Sequence, residues 1–478
     1  MLRIPLLRAG EPYFSLNVET LRDVRTGEPV AELSLAGAGM IARDLRRMAE
    51  IRRRLDAVPV RELLAICGRA ARLFAGETLP LGEGEQTPEA YLAQLAATSG
   101  MPIAMGRANM AKIVHNLENM EAILGGLTRG LDLRVLDRGY GEQDGRRLSY
   151  LRQADSLGAV LPNNSPGVHA LWLPAIPLKT PLVLKPGTME PWTPYRIAQA
   201  FYAAGLPRGA ISLYPADHAG ATEVLLRTGR AMFFGDARTV ESWRGSGKVQ
   251  LHGPGWSKVL LFDRRAEGWR DHLELMVGSI AKNGGRSCIN ASGIWTTGHG
   301  DAIAEAVAER LAAIEPRPLD DPRAELCAFP DPAVARAISA MIDDQLQIPG
   351  AEDVTARRRG AARRRRLVEV DGCTFLRPTV VRCHDPGHPL AASEFVFPFA
   401  AVVEVASADE LLERIGPTLV ATALTDDDET RYKILTCPRI DRLNLGTIPT
   451  YQISWDQPHE GNLFDHLYQQ RAFQIAAA

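Results

Sequence analysis

The chain has no stretch of about 18 apolar residues free of charge, so no membrane-crossing helix is expected from it. Charge of one sign is also missing: 55 Lys and Arg stand against 57 Asp and Glu, a formal net charge of −2. That balance gives no electrostatic reason for nucleic acid or a membrane surface as a bulk partner. Cysteine is scarce. The six (Cys67, Cys288, Cys327, Cys373, Cys383 and Cys437) show no metal-ligand spacing, so no metal is expected, and they are too few to staple 478 residues. Most are expected to be small buried hydrophobes, with one or two reactive. The opening MLRIPLLRAGEPY carries Arg and Pro too early for a secretory segment and lacks a small-residue cleavage site, so a cytoplasmic location is expected. There is no internal repeat and no full G-x-G-x-x-G fingerprint, which leaves a conventional Rossmann motif unsupported.

What is present is an ordinary globular composition, 46% hydrophobic and 23% charged. The length implies two or three domains. Leu33 to Ala75 and Pro88 to Leu124 have apolar residues at helical spacing. Leu131–Asp137 and Arg147–Leu151 read as strands around a Gly-rich turn. From Val160 the pattern alternates. Leu182–Lys185, Ala210–Tyr214 and Ala231–Phe234 read as strands, and Thr193–Ala204 and Ala221–Thr228 as helices. Strands alternating with helices imply βαβ units and a parallel sheet with right-handed crossovers. A second α/β block follows from about Leu251 to Asn444. One segment departs in composition, with seven arginines between Arg357 and Arg366. It reads as a solvated loop, or alternatively as a site for phosphate groups or an acidic partner, since Arg pairs bidentately with phosphate.

Four short patterns carry the chemistry. Asn163-Asn164-Ser165-Pro166 follows a strand, where a carboxamide is placed to donate to a developing oxyanion. Lys185-Pro186-Gly187-Thr188 ends a strand before a helix, which suits a nucleotide at the carboxyl end of a parallel strand. Phe234-Gly235-Asp236 repeats that design, with a helix start for a pyrophosphate. Asn283-Gly284-Gly285-Arg286-Ser287-Cys288 brings a cysteine after a flexible approach, where a stabilised thiolate is a strong nucleophile. Singly, each pattern also suits a turn, a surface lysine or a core cysteine.

Their collinear order resembles the aldehyde dehydrogenase superfamily, from roughly Asp132 to Thr450. Ser393-Glu394-Phe395-Val396-Phe397-Pro398, Leu376-Arg377-Pro378-Thr379 and Asn444-Leu445-Gly446-Thr447 add to the likeness. The resemblance implies an α/β fold: a parallel-sheet, Rossmann-type cofactor domain, an α/β catalytic domain and a β-hairpin oligomerisation arm. The expected segments are 1–130 and 152–250 for the cofactor, 251–445 for catalysis, and 131–151 with 446–478 for arm and tail. It further implies that Cys288 is the nucleophile, that Asn164 steadies the oxyanion, that Lys185 binds the adenosine ribose and that Glu394 holds the nicotinamide ribose. Gly235 and Asp236 fall where the family approaches the pyrophosphate. The family usually has a small hydroxyl residue at the second of these, and a carboxylate there repels phosphate. Thr188 stands where the family often carries a glutamate that repels a 2′-phosphate, so NAD or NADP is expected. A homodimer or homotetramer is expected, because the hairpin arm cannot bury itself alone.

Hydrolytic members of that family carry a glutamate base in a Glu-Leu-Gly-Gly segment. The matching position here is Leu251, which cannot take a proton. The leading expectation is therefore that the thioester on Cys288 exchanges with a thiol, coenzyme A or an acyl carrier protein. The enzyme would then reduce an acyl thioester to an aldehyde or run the reverse. The segment His252-Gly253-Pro254-Gly255-Trp256-Ser257-Lys258 is similar to the fatty-acyl reductase branch. Alternatives are a hydrolytic enzyme using His252 as base, whose ordinary pKa suits the task, and a non-catalytic binding subunit. If Leu251 points into the site, His252 points away. Trp455, His459 and Glu460 are candidates for substrate contact or a structural cap. Trp172, Trp256, Phe395 and Phe397 are candidates for an apolar substrate wall or for core. Phe464, Leu467, Tyr468 and Phe473 are expected to form an amphipathic interface helix.

Overall fold

The structure, a computed structural model, describes residues 1–360 and 365–476. The chain divides into two compact units. The first comprises Met1–Thr98, Gly106–Gly253 and Ser454–Ala478, and the second Ser99–Met105 and Pro254–Ile453.

The main sheet of the first unit contains β1 (Leu6–Arg8), β2 (Glu11–Tyr13), β3 (Leu157–Val160), β4 (Leu182–Lys185), β5 (Ile211–Leu213), β6 (Arg230–Phe234) and β7 (Val249–His252). The spatial order is β7-β6-β3-β4-β5-β1-β2. Strands β3 to β7 are parallel, and β1 and β2 close one edge antiparallel. Strand β4 is Leu-Val-Leu-Lys, apolar on both faces until Lys185, as a strand covered on both sides must be. Helices Trp192–Ala203 and His218–Arg227 make the crossovers. The second is started by Asp217, whose side chain accepts from the Gly220 N–H. The alternation read from the sequence is thus present, and both strands and helices lie close to the expected positions.

Two expectations are corrected. Leu131–Asp137 is not a strand; it leads into a short helix, Val135–Arg138. The Asp132 carboxylate accepts the Arg134 N–H at 3.0 Å, and Gly139 at φ 79° stops the helix. Local capture of a backbone donor competes with strand pairing. The aromatic tail is not one helix either. Leu463–Leu467 is a short turn of helix capped by Asn462, and the chain then extends as a strand, Tyr468–Arg471. That strand pairs with Arg146–Arg152, itself paired with Tyr140–Gln143. Phe464, Leu467 and Tyr468 are buried, and Phe464 packs edge-on against Tyr150.

The sheet of the second unit contains β8 (Ser257–Leu261), β9 (Ala291–Thr296), β10 (Ala351–Asp353), β11 (Thr379–Cys383), β12 (Phe399–Glu404), β13 (Thr418–Leu424) and β14 (Ile440–Leu445). The order is β10-β11-β12-β9-β8-β13-β14. All neighbours are parallel except β10 and β11. Leu260, Trp295, Val403 and Ala421 face one apolar cluster, and Val259, Leu261, Ile294 and Val402 face another. The period of two, with both faces apolar, makes this a sheet buried between helical layers. No helix among the described residues is long and apolar enough to cross a membrane.

Candidate active site

In the first unit the candidate residues follow the carboxyl ends of adjacent parallel strands. This is where open α/β sheets bind ligands. Asn164 follows β3, Lys185 ends β4, Gly235 follows β6 and His252 ends β7. Asn164 is half-buried, and its carboxamide oxygen accepts the Ser165 N–H at 3.0 Å. That bond fixes the oxygen end of the amide and turns the NH2 edge the other way. The neighbouring Asn163 accepts the Met189 N–H at 2.9 Å. A Cβ on Gly187 would meet the Asn163 carboxamide oxygen at 2.3 Å, so the Lys185-Pro186-Gly187 turn sits flush on the Asn163 loop.

Burial lowers the pKa of the Lys185 ammonium, and the Asp217 carboxylate partly offsets the shift. Thr188 is half-buried and uncharged. These features fit a ribose: a largely buried amine at a strand end, with no carboxylate at Thr188 to repel a phosphate. The Gly235 turn fits a pyrophosphate less well. The space at Gly235 is tight, since a Cβ would lie 2.5 Å from the Thr239 hydroxyl. But the helix after it, Ala237–Glu241, is only five residues long, and Asp236 caps it by accepting the Thr239 N–H at 2.9 Å. The expected open helix start is closed by the protein's own carboxylate.

His252 is buried. Its ring stacks on Phe234 at 4.3 Å and lies parallel to His459 at 6.3 Å. Its Nδ1 bonds the Glu460 carboxylate, while Nε2 is buried and has no hydrogen-bond partner among the described residues. On the same strand face, the Gln250 amide donates to the Glu460 carbonyl at 2.6 Å. Leu251 packs instead with Val249 in the apolar cluster of Ile41 and Val224. The alternation expected for Leu251 and His252 holds, but the apolar packing falls to Leu251 and the polar contacts to His252. Trp455 is half-buried at the turn that begins the tail. The cavity of about 710 Å³ lined by Val60, Leu64, Leu117 and Met120 contains none of these residues.

In the second unit the candidates gather at the amino ends of three adjacent strands. Gly255 and Trp256 precede β8, Cys288 precedes β9 and Glu394 precedes β12. The approach to Cys288 is left-handed at Asn283, Gly284 and Gly285, with φ of 56°, 65° and 67°. A Cβ on Gly285 would fall 2.4 Å from the Pro398 nitrogen, so glycine alone fits. The Asn290 side chain accepts the Ser287 N–H at 2.9 Å and donates to the Lys282 carbonyl at 2.9 Å. Arg286 is buried and donates to the carbonyls of Ser99 and Ala328, both at 2.8 Å. Cys288 is half-buried on this frame, whereas Cys67, Cys327, Cys373 and Cys383 are buried. Burial pushes the Cys67 and Cys383 thiols up to about 12, which makes them inert.

Sequence reasoning gave no role to Ser257 or Lys258, and it named Glu460 as a substrate contact or cap without its His252 partner. Ser257 donates to the Cys288 carbonyl at 2.8 Å. The Lys258 ammonium, buried in a strand, donates to the Trp256 carbonyl at 2.6 Å and the Thr418 hydroxyl at 3.0 Å. Burial pulls its pKa down to about 7. A lysine inside Ser-Lys-Val-Leu-Leu was a legible signal; the pairing of Glu460 with His252, 208 residues away, gave none. Of the aromatic candidates, Trp172 and Phe397 are core, Phe395 packs against that core, and Trp256 is half-buried. The arginine segment is not simply a solvated loop. Arg357 and Arg358 pair with Glu305. Arg366 is buried between Asp343 and Asp353, at 3.1 and 2.9 Å. Arg363 and Arg364 lie outside the described residues. Among the described residues no group of His, Cys, Asp and Glu is arranged to hold a metal.

Two largely parallel sheets, one with Lys185 at a strand end and the other with a framed cysteine ahead of a strand, make this an α/β architecture. The family model for the aldehyde dehydrogenase family matches residues 18–436. The chain belongs to that family, whose members are NAD(P)-dependent oxidoreductases acting on aldehydes. Solved structures agree on the fold. The aldehyde dehydrogenase KauB from Pseudomonas aeruginosa is 18% identical, with a TM-score of 0.77 over 99% of this chain and 96% of that one. An NAD-dependent aldehyde dehydrogenase from Sinorhizobium meliloti is 18% identical, with a TM-score of 0.77 over 98% and 94%. A 3,6-anhydro-L-galactose dehydrogenase in complex with NAP is 15% identical, with a TM-score of 0.77 over 99% and 100%. No curated protein matches the chain.

Proposed function

We propose that this enzyme interconverts an aldehyde and an acyl thioester through Cys288, with coenzyme A or a carrier-protein thiol as the acyl partner. The observation that carries this reading is the end of β7. Leu251, at the position of the hydrolytic base, is packed in an apolar cluster, and Gln250 beside it is an amide engaged by the tail. Without a carboxylate there, the family's usual group for driving water onto the thioester is missing, and a thiol is the better acceptor.

In the reducing direction the Cys288 thiolate attacks the acyl thioester carbonyl, and the donor thiol leaves with the electron pair of its C–S bond. The Asn164 carboxamide donates to the oxygen as it gains charge. The nicotinamide cofactor supplies a hydride in this direction and accepts one in the other. Lys185 holds its adenosine ribose, and neutral Thr188 tolerates a 2′-phosphate. Collapse of the thiohemiacetal returns the pair to the Cys288 sulfur and frees the aldehyde. The first unit would bind the cofactor and the second the acyl group, with the Tyr140–Arg152 hairpin as an oligomerisation arm. A cytoplasmic location accords with six free cysteines, and such an arm would serve a homo-oligomer.

A hydrolytic reading has one observation in its favour. His252 gives Nδ1 to Glu460, and its Nε2 has no hydrogen-bond partner among the described residues, the arrangement of a carboxylate-oriented imidazole base. The deciding experiment follows NAD(P)H absorbance with a panel of acyl-CoA thioesters, using wild type and Cys288→Ala. Consumption of NAD(P)H with appearance of aldehyde, silent in the variant, supports the exchange reading. Free acid formed from aldehyde and NAD(P)+ without added thiol overturns it.

A further inference from the structure

Asn164 sits on a loop that is stitched to a neighbouring loop both before and after it. The first loop follows β3, and its neighbour follows Lys185 at the end of β4. Before Asn164, the Asn163 carboxamide oxygen accepts the Met189 N–H at 2.9 Å. The Met189 peptide is held from its other side too, its carbonyl accepting from the Thr98 hydroxyl at 2.7 Å. After Asn164, in the 3-10 turn Pro166–Leu171, His169 Nε2 lies 3.1 Å from a Glu190 carboxylate oxygen. Between the two stitches the Ser165 hydroxyl donates to the Asn109 carboxamide oxygen at 3.2 Å.

The second stitch is an enclosed polar network. His169 is 1% exposed and Glu190 2%. The Trp172 indole N–H, which can only donate, points at His169 Nδ1 at 3.1 Å. Nδ1 is therefore the acceptor, and the ring proton sits on Nε2, directed at Glu190. The other Glu190 oxygen accepts the Thr193 N–H at 2.9 Å and the Thr193 hydroxyl at 2.5 Å. The carboxylate thus lies over the first turn of the helix Trp192–Ala203, where backbone N–H groups favour negative charge. Apolar side chains of the same volume would fill this space at less cost. What the polar network adds is a single arrangement, because its donors and acceptors match one another in only one way.

We propose that His169, held by Glu190, is a positioning residue for Asn164, fixing the loop that carries the oxyanion donor against the loop that carries Lys185. His169 acts through the backbone of residues 164–169 and not by contact with the acyl group. A carboxamide serves an oxyanion only at hydrogen-bond distance, and a displacement of about 1 Å is enough to cost roughly a hundredfold in rate. The inference rests on the proposed role of Asn164.

The test follows the first turnover of NAD(P)H formation by the full-length enzyme with a panel of straight-chain and aromatic aldehydes. That turnover ends at the thioester and does not depend on the acceptor that follows. Asn164→Ala is expected to slow it about a hundredfold, as loss of an oxyanion donor does. His169→Phe should slow it by about ten- to a hundredfold while leaving the half-saturating aldehyde and NAD(P)+ concentrations within about twofold of wild type. His169→Gln keeps a donor for Glu190 and an acceptor for Trp172, and it should recover most of the rate. In the Asn164→Ala background His169→Phe should slow the reaction no further, whereas a general structural loss lowers the rate in both backgrounds. In the resting protein, amide exchange over residues 163–171 should quicken about tenfold in His169→Phe and stay at the wild-type rate in His169→Gln. Glu190→Asp, which keeps the charge but draws it back by one methylene, should quicken exchange there as well and covers the case of a His169→Phe chain that does not fold. The proposal is overturned if exchange is unchanged in His169→Phe and Glu190→Asp, if His169→Phe turns over as fast as wild type, or if its effect multiplies with that of Asn164→Ala. Failure of the underlying assignment looks different: Asn164→Ala would itself turn over at the wild-type rate.

Discussion

His252 and Glu460 stand 208 residues apart in the chain and bond side chain to side chain, imidazole Nδ1 to carboxylate. The contact ties the tail of the first unit to the edge strand β7, reinforced by the Gln250 amide on the Glu460 carbonyl. Glu460→Ala would leave a buried imidazole without its carboxylate, and it should lower the free energy of unfolding by about 1–3 kcal/mol. Urea unfolding checks this. A double-mutant cycle with His252→Phe should show that the two losses are not additive, and full additivity would count against the pairing.

The tail should also respond to acid. His466 is held near the Ala231 carbonyl, with Arg230 close by. Its pKa falls from 6.5 to about 4, first because of burial and then because of the Arg230 charge. Between those two values the unfolded segment binds a proton that the folded one does not. Stability therefore declines as pH falls from about 6.5 toward 4 and is flat above that window. Hydrogen exchange over residues 454–471 should quicken between pH 7 and pH 5 beyond the intrinsic change, and His466→Asn should blunt the effect. An unchanged pH profile in that variant would remove His466 as the cause.

Lys258 predicts a second window. Burial brings its pKa from 10.5 to about 7, while the Glu394 charge acts in the opposite sense. Across that range the unfolded chain binds the additional proton, so this residue makes stability rise with pH from about 7 upward. Lys258→Met should flatten the slope in chemical unfolding between pH 7 and pH 9. It should also disturb the Trp256 peptide, which loses its carbonyl donor. A slope unaltered by the substitution would show that the amine is not buried as described.

Leu251→Glu is the obvious attempt to restore a hydrolytic base, and it should fail. The side chain belongs to the apolar cluster of Val249, Ile41 and Val224. A carboxylate there is half-buried against apolar side chains and should destabilise the protein by about 1–3 kcal/mol. No free acid should appear from aldehyde in the absence of thiol. Acid release by this variant would mean that Leu251 reaches the acyl group after all.

Much of the fold was legible because both sheets are parallel apart from their edge strands. Strands such as Leu182–Lys185 announce themselves as short apolar runs between helices, and their carboxyl ends mark where Asn164, Lys185 and Gly235 must gather. The Cys288 frame was legible as glycines with a local reason to exist. Side-chain pairings distant in sequence were not. Nothing near His252 points to Glu460, and nothing near Glu394 says that its carboxylate holds the Gly255 and Trp256 amides. Leu131–Asp137 misled because its apolar residues suit a strand, while a single Asp132 carboxylate turns the backbone into a helix. The tail misled for the related reason that a spacing of aromatic residues does not distinguish one helix from a turn of helix followed by a strand.

The return of residues 454–478 to the first unit carries a consequence for biosynthesis. Residues 459–461, which close over β7, and residues 468–471, which complete the hairpin sheet, leave the ribosome only after the entire second unit. Until then the nascent first unit holds an uncovered β7 face and an exposed hairpin edge, surfaces that invite association with other chains. The second unit's parallel sheet, complete before the tail emerges, should therefore mature first. Chaperone engagement during translation should centre on the hairpin and β7, and it should end when the tail docks.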